Sequence, residues 1–198
     1  MQETYGSAMS SGEFDWWFDR NPAGPRVLNA ARDEDGTPLG ALSMHFARLD
    51  NGLQCFAVHA VTTPAARGRG VFSTLELHNE EAAAAQGARW ALGFTNPMAG
   101  PILVGKLGWE DVTSLRIWVR PKRPWRKDGA VRETALASQS RHLPAHHIER
   151  DEPYLRWRYA DSPRPYAQSG DAVVTHATWH GLSSAIVCEH GGGLEGAL

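Results

Sequence analysis

In Arg67-Gly68-Arg69-Gly70, two glycines stand one residue apart, each preceded by an arginine. Arginine supplies a fixed charge and a planar fork of donors suited to phosphate oxygens. Glycine lets a ligand approach the backbone closely. An apolar run, Cys55 to Val61, leads into the tetrapeptide, and an amphipathic pattern beginning at Val71 leads out of it. The stretch therefore reads as strand, bare turn and helix start. A helix start carries unpaired N–H groups and a partial positive charge, which suit an anion. The pattern points to a phosphorylated cofactor. A disordered Arg-Gly tract for nucleic acid would be longer and would not run straight into an amphipathic helix.

The second group of interest is histidine. His59 lies on the same apolar strand two residues before Val61, so the two side chains share a face. With an ordinary pKa of about 6.5, imidazole can take a proton at neutral pH, which makes His59 the candidate general base. The alternative is a satisfied structural histidine. His45, on the neighbouring strand, is a weaker candidate. His78 and Glu80 read as solvated or packing residues of the following helix. His146-His147 are adjacent and lack further spaced ligands, so they do not make a metal site.

The elements that must position these residues follow from pattern and turn chemistry. Met1 to Gly12 is small and polar and is expected to fray. Glu13 to Arg20 is aromatic-rich and stops at Asn21-Pro22-Ala23-Gly24-Pro25. Strands are expected over Val27–Arg32, Leu39–Leu49 and Leu53–Thr62, with turns at Asp33-Glu34-Asp35-Gly36 and Asp50-Asn51-Gly52. Val71 to Gln86 predicts a helix with Val71, Leu75, His78, Ala82 and Ala85 on one stripe, stopped by Gly87. A strand over Ala88–Thr95, a helix over Met98–Leu107 and a strand over Leu115–Val119 complete the core. Strands on either side of a crossover helix imply a parallel pair within a mixed sheet.

Ala65-Ala66-Arg67-Gly68-Arg69-Gly70 resembles the acyl-CoA loop of the GNAT acetyltransferases, departing from it at Ala65, where that family has Gln or Arg. Asn96 in Phe94-Thr95-Asn96-Pro97 and the Lys106-Leu107-Gly108-Trp109 segment match two further features of the family in the right order. The resemblance spans about Arg26 to Arg120. It implies an α/β GNAT-type fold, with a mixed central sheet flanked by helices, and acetyl-CoA as co-substrate. It also implies that backbone groups near Val61, Thr62 and Thr63 pair with the pantetheine arm. The N–H groups from Arg67 through Gly68, Arg69, Gly70 and Val71 to Phe72 would hold the pyrophosphate, with Asn96 beside the arm. The family's usual acid, a tyrosine on the last core helix, falls at Val104 and is absent. The implied reaction is direct acetyl transfer to an amine. The alternatives are a non-catalytic acyl-CoA-binding or interaction module and, less favoured, an aminoacyl-tRNA-dependent transferase of the same fold.

At 198 residues with a formal net charge of -2, the chain suits one cored domain with an appendage and has no global pull toward nucleic acid. No run approaches a membrane span and no signal peptide is visible, so a cytoplasmic location is expected. Cys55 and Cys188 read as small buried hydrophobes. Residues 1–25 form an N-terminal aromatic segment, 26–120 the core, 121–150 a basic, proline-rich linker and 151–198 a partial second half. The last assignment rests on an echo. Trp157-Arg158-Tyr159-Ala160-Asp161-Ser162-Pro163 repeats the pattern of Trp16-Trp17-Phe18-Asp19-Arg20-Asn21-Pro22, and strand-like runs follow at Ala172–Trp179 and Ser183–Glu189. Some GNAT relatives carry two such halves. Trp157 and Tyr159 should be buried, and the two runs should extend the core sheet or pair with a second copy, giving a possible homodimer.

Overall fold

The computed structural model describes residues 9–113, 129–130, 147–169, 172–179 and 181–190. The chain divides into two compact units, Met1–Ser114 and Leu115–Leu198. The predicted strand over Leu115–Val119, most of the basic linker, His146 and the glycines after His190 lie outside the described residues.

In the first unit, helix α1 (Ser11–Phe14) runs directly into a π-helical turn, Asp15–Asp19. Within the stretch expected to fray, Ser10 caps the helix and Ser11 and Gly12 belong to it. Its hydroxyl accepts from Glu13 N at 3.2 Å, and the Glu13 carboxylate accepts in return from Ser10 N at 3.3 Å. This reciprocal cap satisfies donors that would otherwise open the helix. The π turn closes where Arg20 N donates to Asp15 O at 3.0 Å, and it buries Trp16 and Phe18. Asn21 then ties the segment to the sheet, its Nδ2 donating to Phe46 O at 2.8 Å.

The sheet follows the expected hairpins closely. Strands β1 (Val27–Arg32), β2 (Pro38–Leu49) and β3 (Gly52–Thr62) form an antiparallel meander. Asp33 builds its first turn, accepting from Asp35 N and Thr37 N at 3.1 and 2.8 Å. After β3 come a 3-10 turn, Pro64–Ala66, then the Arg-Gly loop and helix α2 (Val71–Ala85). The crossover returns as strand β4 (Ala91–Gly93), parallel to β3, so the order β1-β2-β3-β4 is a mixed sheet. A short helix α3 (Gly100–Lys106) follows.

The two faces of this sheet are covered differently. Val27, Leu42, Met44, Phe46 and Cys55 pack with Val71, Leu75 and Ala83 of α2. On the opposite face His45 meets Trp17 edge-on at 4.9 Å and lies 5.4 Å from Phe56.

Three expectations need correction here. The strand expected over Ala88–Thr95 is paired only from Ala91 to Gly93. Its ladder with β3 ends at Ala57↔Gly93, because β3 then bulges: Ala41 faces Val61 and Ser43 faces Val58, so His59 and Ala60 together oppose Leu42. A bulge bends the strand that carries the extra residue and ends pairing there. Second, the buried stripe of α2 is Val71, Leu75, Glu76, Asn79 and Ala83, whereas His78 and Ala85 are exposed. Asn79 belongs inside because its Nδ2 donates to Leu42 O at 2.8 Å and its Oδ1 accepts from Asn29 Nδ2 at 2.6 Å. Third, the predicted helix over Met98–Leu107 begins at Gly100 and ends at Lys106, with Asn96 capping the turn before it.

In the second unit, helix α4 (Glu152–Leu155) runs into a π-helical turn, Arg156–Ala160. Asp151 caps it, its carboxylate accepting from Tyr154 N at 2.9 Å. Trp157 and Tyr159 are buried, as expected. Strands β5 (Gly129–Ala130), β6 (Ala167–Ser169), β7 (Ala172–Trp179) and β8 (Leu182–His190) form a separate antiparallel sheet in the order β5-β6-β7-β8. The last two strands thus belong to a sheet of their own and do not extend the first one. Leu155, Tyr159 and Val173 form its core with Tyr154, Tyr166 and Cys188. Both cysteines are free thiols.

Candidate functional site

The Arg-Gly loop has the backbone that its glycines suggest. Gly68 and Gly70 both lie in the left-handed region, at φ 75° and 79°. No atom stands within 4 Å of where a side chain on either would begin. Arg67 and Arg69 are exposed. Gly70 caps α2, whose first bond runs from Thr74 N to Gly70 O at 3.0 Å. The N–H groups of Val71, Phe72 and Ser73 precede that bond and form the helix's open first turn. An anion would meet these N–H groups, two exposed guanidinium groups and no side chain at either glycine.

The loop stands at the end of the strand that leaves its neighbour. Beyond Ala57↔Gly93, β3 has no ladder partner on the β4 side among the described residues. On its other side, Val61 and Thr62 remain opposite Ala41 and Gly40 of β2. Gly40 is required there: a Cβ would fall 2.7 Å from Val61 O. Thr63 N and Oγ1 both donate to Leu39 O, at 2.9 and 3.2 Å, so Thr63 spends both donors on β2.

Asn96 and Val104 line one open cleft of about 660 Å³ with Thr95, Pro97, Gly100 and Asp111. Asn96 Oδ1 accepts from Met98 N and Ala99 N, both at 2.9 Å. Its carbonyl therefore caps the turn into α3, and its Nδ2 is the donor left for a ligand. Asp111 was not anticipated, and no spacing rule singles it out. The Lys106-Leu107-Gly108-Trp109 segment is a helix stop. Gly108 takes φ 76°, and Trp109 N reaches back to Leu103 O at 3.1 Å. The Trp109 ring lies over Gly93, 3.2 Å from where its Cβ would stand, and its Nε1 donates to Glu80 Oε1 at 2.7 Å.

His59 is the one non-glycine residue at positive φ among the described residues, at 52°. It meets Phe18 edge-on, at 5.6 Å between ring centroids. With Val61, Ser43, Phe14 and Phe18 it lines a cavity of about 30 Å³, room for a water molecule and not for an acceptor. His59 and Val61 do share a face, as expected. His45 is packed between aromatic rings, and His78 is exposed. Among the described residues no cluster of His, Cys, Asp or Glu could hold a metal.

Sequence reasoning missed two buried polar residues of α2, Glu76 and Asn79. Both recur with Val71, Leu75 and Ala83 at helical spacing, a signal that only a reader prepared to bury a carboxylate would accept. Burial, and then the neighbouring Glu80, push the Glu76 carboxyl from 4.5 up to about 7. Burial, then Glu76 and Glu80, push the Cys55 thiol up to about 11, so it stays protonated and unreactive.

No protein-family profile matches the chain, and no curated protein matches it. Several solved structures are similar to part of it. A GCN5-related N-acetyltransferase from Ralstonia eutropha JMP134 is 20% identical over 44% of this chain and 61% of its own, with a TM-score of 0.40. An acetyltransferase from Trypanosoma brucei is 18% identical over 60% and 86%, with a TM-score of 0.47. An aminoglycoside N-acetyltransferase, AAC(6')-Iy, in complex with CoA is 17% identical over 49% and 77%, with a TM-score of 0.43. The first unit itself is an α/β mixed sheet flanked by helices, with a parallel pair that parts beside a glycine loop. No helix among the described residues is long and apolar enough to cross a membrane.

Proposed function

We propose that the first unit is an N-acetyltransferase of the GNAT type, using acetyl-CoA as co-substrate and an amine as acceptor. The observation that carries this reading is the loop itself: two left-handed glycines, two exposed arginines and an open helix start, set at the end of a strand that has left its neighbour. The residues Arg67, Gly68, Arg69, Gly70, Val71 and Phe72 would hold the pyrophosphate. Val61 and Thr62 would offer backbone to the pantetheine arm, and Asn96 Nδ2 would donate to it or to a bridging water. Acetyl-CoA supplies an activated thioester, and the acceptor amine displaces the thiol. His59 would take the amine proton, which requires the aromatic roof of Phe14 and Phe18 to give way to the acceptor.

That roof, together with Val104 at the usual acid position, favours a second reading: an acyl-CoA-binding module that does not catalyse. The two part cleanly on turnover. Acetyl-CoA at one hundred times its dissociation constant should stabilise either kind of protein by about 2.7 kcal/mol. Only the enzyme will release free CoA thiol with a panel of primary amines. His59→Asn keeps a residue that tolerates positive φ but cannot act as a base. It should lower kcat by about 10²–10⁴ with acetyl-CoA affinity unchanged. Stabilisation without turnover across the panel would leave the module.

A further inference from the structure

Glu76 is wholly enclosed between α2 and the sheet, and neither carboxylate oxygen has a hydrogen-bond partner. From its own helix, Glu80 stands one turn on. From β3 comes the Cys55 thiol. α2 packs on β1, β2 and β3, and the residues of β1 and β2 in that core, Val27, Leu42, Met44 and Phe46, do not titrate. No cation pairs with Glu76 or Glu80 among the described residues. A carboxylate in such a place would be an unpaired buried charge, among the costliest groups a core can hold. Asn79, one turn away on the same face, shows the contrast: its amide nitrogen and its oxygen each have a partner.

We infer that Glu76 is held as the neutral acid in the folded protein, forming with Glu80 a proton-sensitive latch on the fork between β3 and β4. The mechanical link is Glu80. Its Oε1 accepts from Trp109 Nε1, and the Trp109 ring rests on Gly93, the last residue paired across the fork. Loss of the Glu76 proton places two like charges one turn apart on α2 beneath that contact. The charge is relieved by opening α2 toward water, which loosens Glu80, Trp109 and the end of β4 together.

The sign of the pH effect follows from the carboxyl's position. Folded, it titrates at about 7, and a free glutamate at 4.5. The folded state thus holds one more proton across that window. Stability from this group is complete below 4.5, falls as pH rises toward 7, and is flat above. The inference does not depend on acyl-CoA binding, and its test uses none.

Urea unfolding of the full chain and of Glu76→Gln should be followed from pH 5 to pH 8. Relative to the glutamine variant, the unfolding constant of the natural chain should rise on the order of one-hundred-fold across this range. Glu76→Gln/Glu80→Gln should follow Glu76→Gln closely, because the single variant already removes the proton step. Identical pH slopes for the natural chain and Glu76→Gln would overturn the inference. If Glu76→Gln does not fold, carbon-13 NMR titration of the glutamate carboxyls in the natural chain decides. One carboxyl titrating near neutrality supports the latch, and all of them titrating in the ordinary range overturns it.

Discussion

The opening segments of the two units are built alike, position for position. Each has a side-chain cap, a four-residue α-helix and a five-residue π turn, from Ser11 to Asp19 in one and Glu152 to Ala160 in the other. Trp16 corresponds to Trp157 and Phe18 to Tyr159, and all four are buried. Each turn is closed by the same backbone bond, Arg20 N to Asp15 O and Asp161 N to Arg156 O. An ion pair clips each turn with its sign reversed: Asp15 with Arg20, Arg156 with Asp161. In both units a three-stranded antiparallel meander follows, β1-β2-β3 and β6-β7-β8. In the first, the third strand bulges at His59 and runs into the Arg-Gly loop and α2. The repeated part is therefore scaffold, and the proposed chemistry rests on the loop and helix that follow the meander in the first unit. A buried tryptophan and a closed π turn can be shared by two sheets without either acquiring a site.

This comparison can be broken most forcefully at the tryptophans. Trp16→Ala and Trp157→Ala should each cost about 3–5 kcal/mol, the usual loss for a fully buried aromatic. Denaturant unfolding would show it, and a cost below about 1 kcal/mol at either site would mean the two segments are not equivalent. Asn79 tests what the first unit adds. Asn79→Leu leaves Leu42 O and Asn29 Nδ2 without their partner and should cost about 1–3 kcal/mol for each group stranded. Asn96→Ala should cost about 0.5–2 kcal/mol from the lost cap of the turn that leads into α3. By calorimetry it should also weaken acetyl-CoA by about 0.5–1.5 kcal/mol. The smallest effect belongs to the reversed ion pairs. Both are largely exposed, so exchanging the charges, Asp15→Arg with Arg20→Asp, should alter stability by less than about 1 kcal/mol.

Much of the first unit was legible from its residues. Alternation and turn chemistry placed β1, β2 and β3 within a residue, because Asp33, Gly36 and Gly52 mark their turns unambiguously. The glycines of the loop announced a bare turn before the helix, and both take positive φ there. The aromatic echo revealed the repeated segment, because tryptophan and tyrosine at matching positions have little use outside a core. What sequence could not supply was the bulge. One extra residue at His59 and Ala60 shortens β4, and no local preference predicts it. The face of α2 was misread for a related reason. Glu76 and Asn79 look like surface residues, and Asn79 earns its place only through Leu42 and Asn29, both distant in sequence. Asn96 was singled out for a ligand, and its carbonyl turned out to serve the helix behind it.

On the proposed reading, the Arg-Gly loop holds the phosphates of acyl-CoA. Isothermal calorimetry with acetyl-CoA on the natural chain, Gly70→Asn and Gly70→Glu tests it most directly. Asparagine tolerates the left-handed backbone and adds no charge, so it separates strain from blockage. The natural chain should bind, Gly70→Asn should bind more weakly, and a folded Gly70→Glu should show no measurable binding. Equal affinity in all three would contradict it.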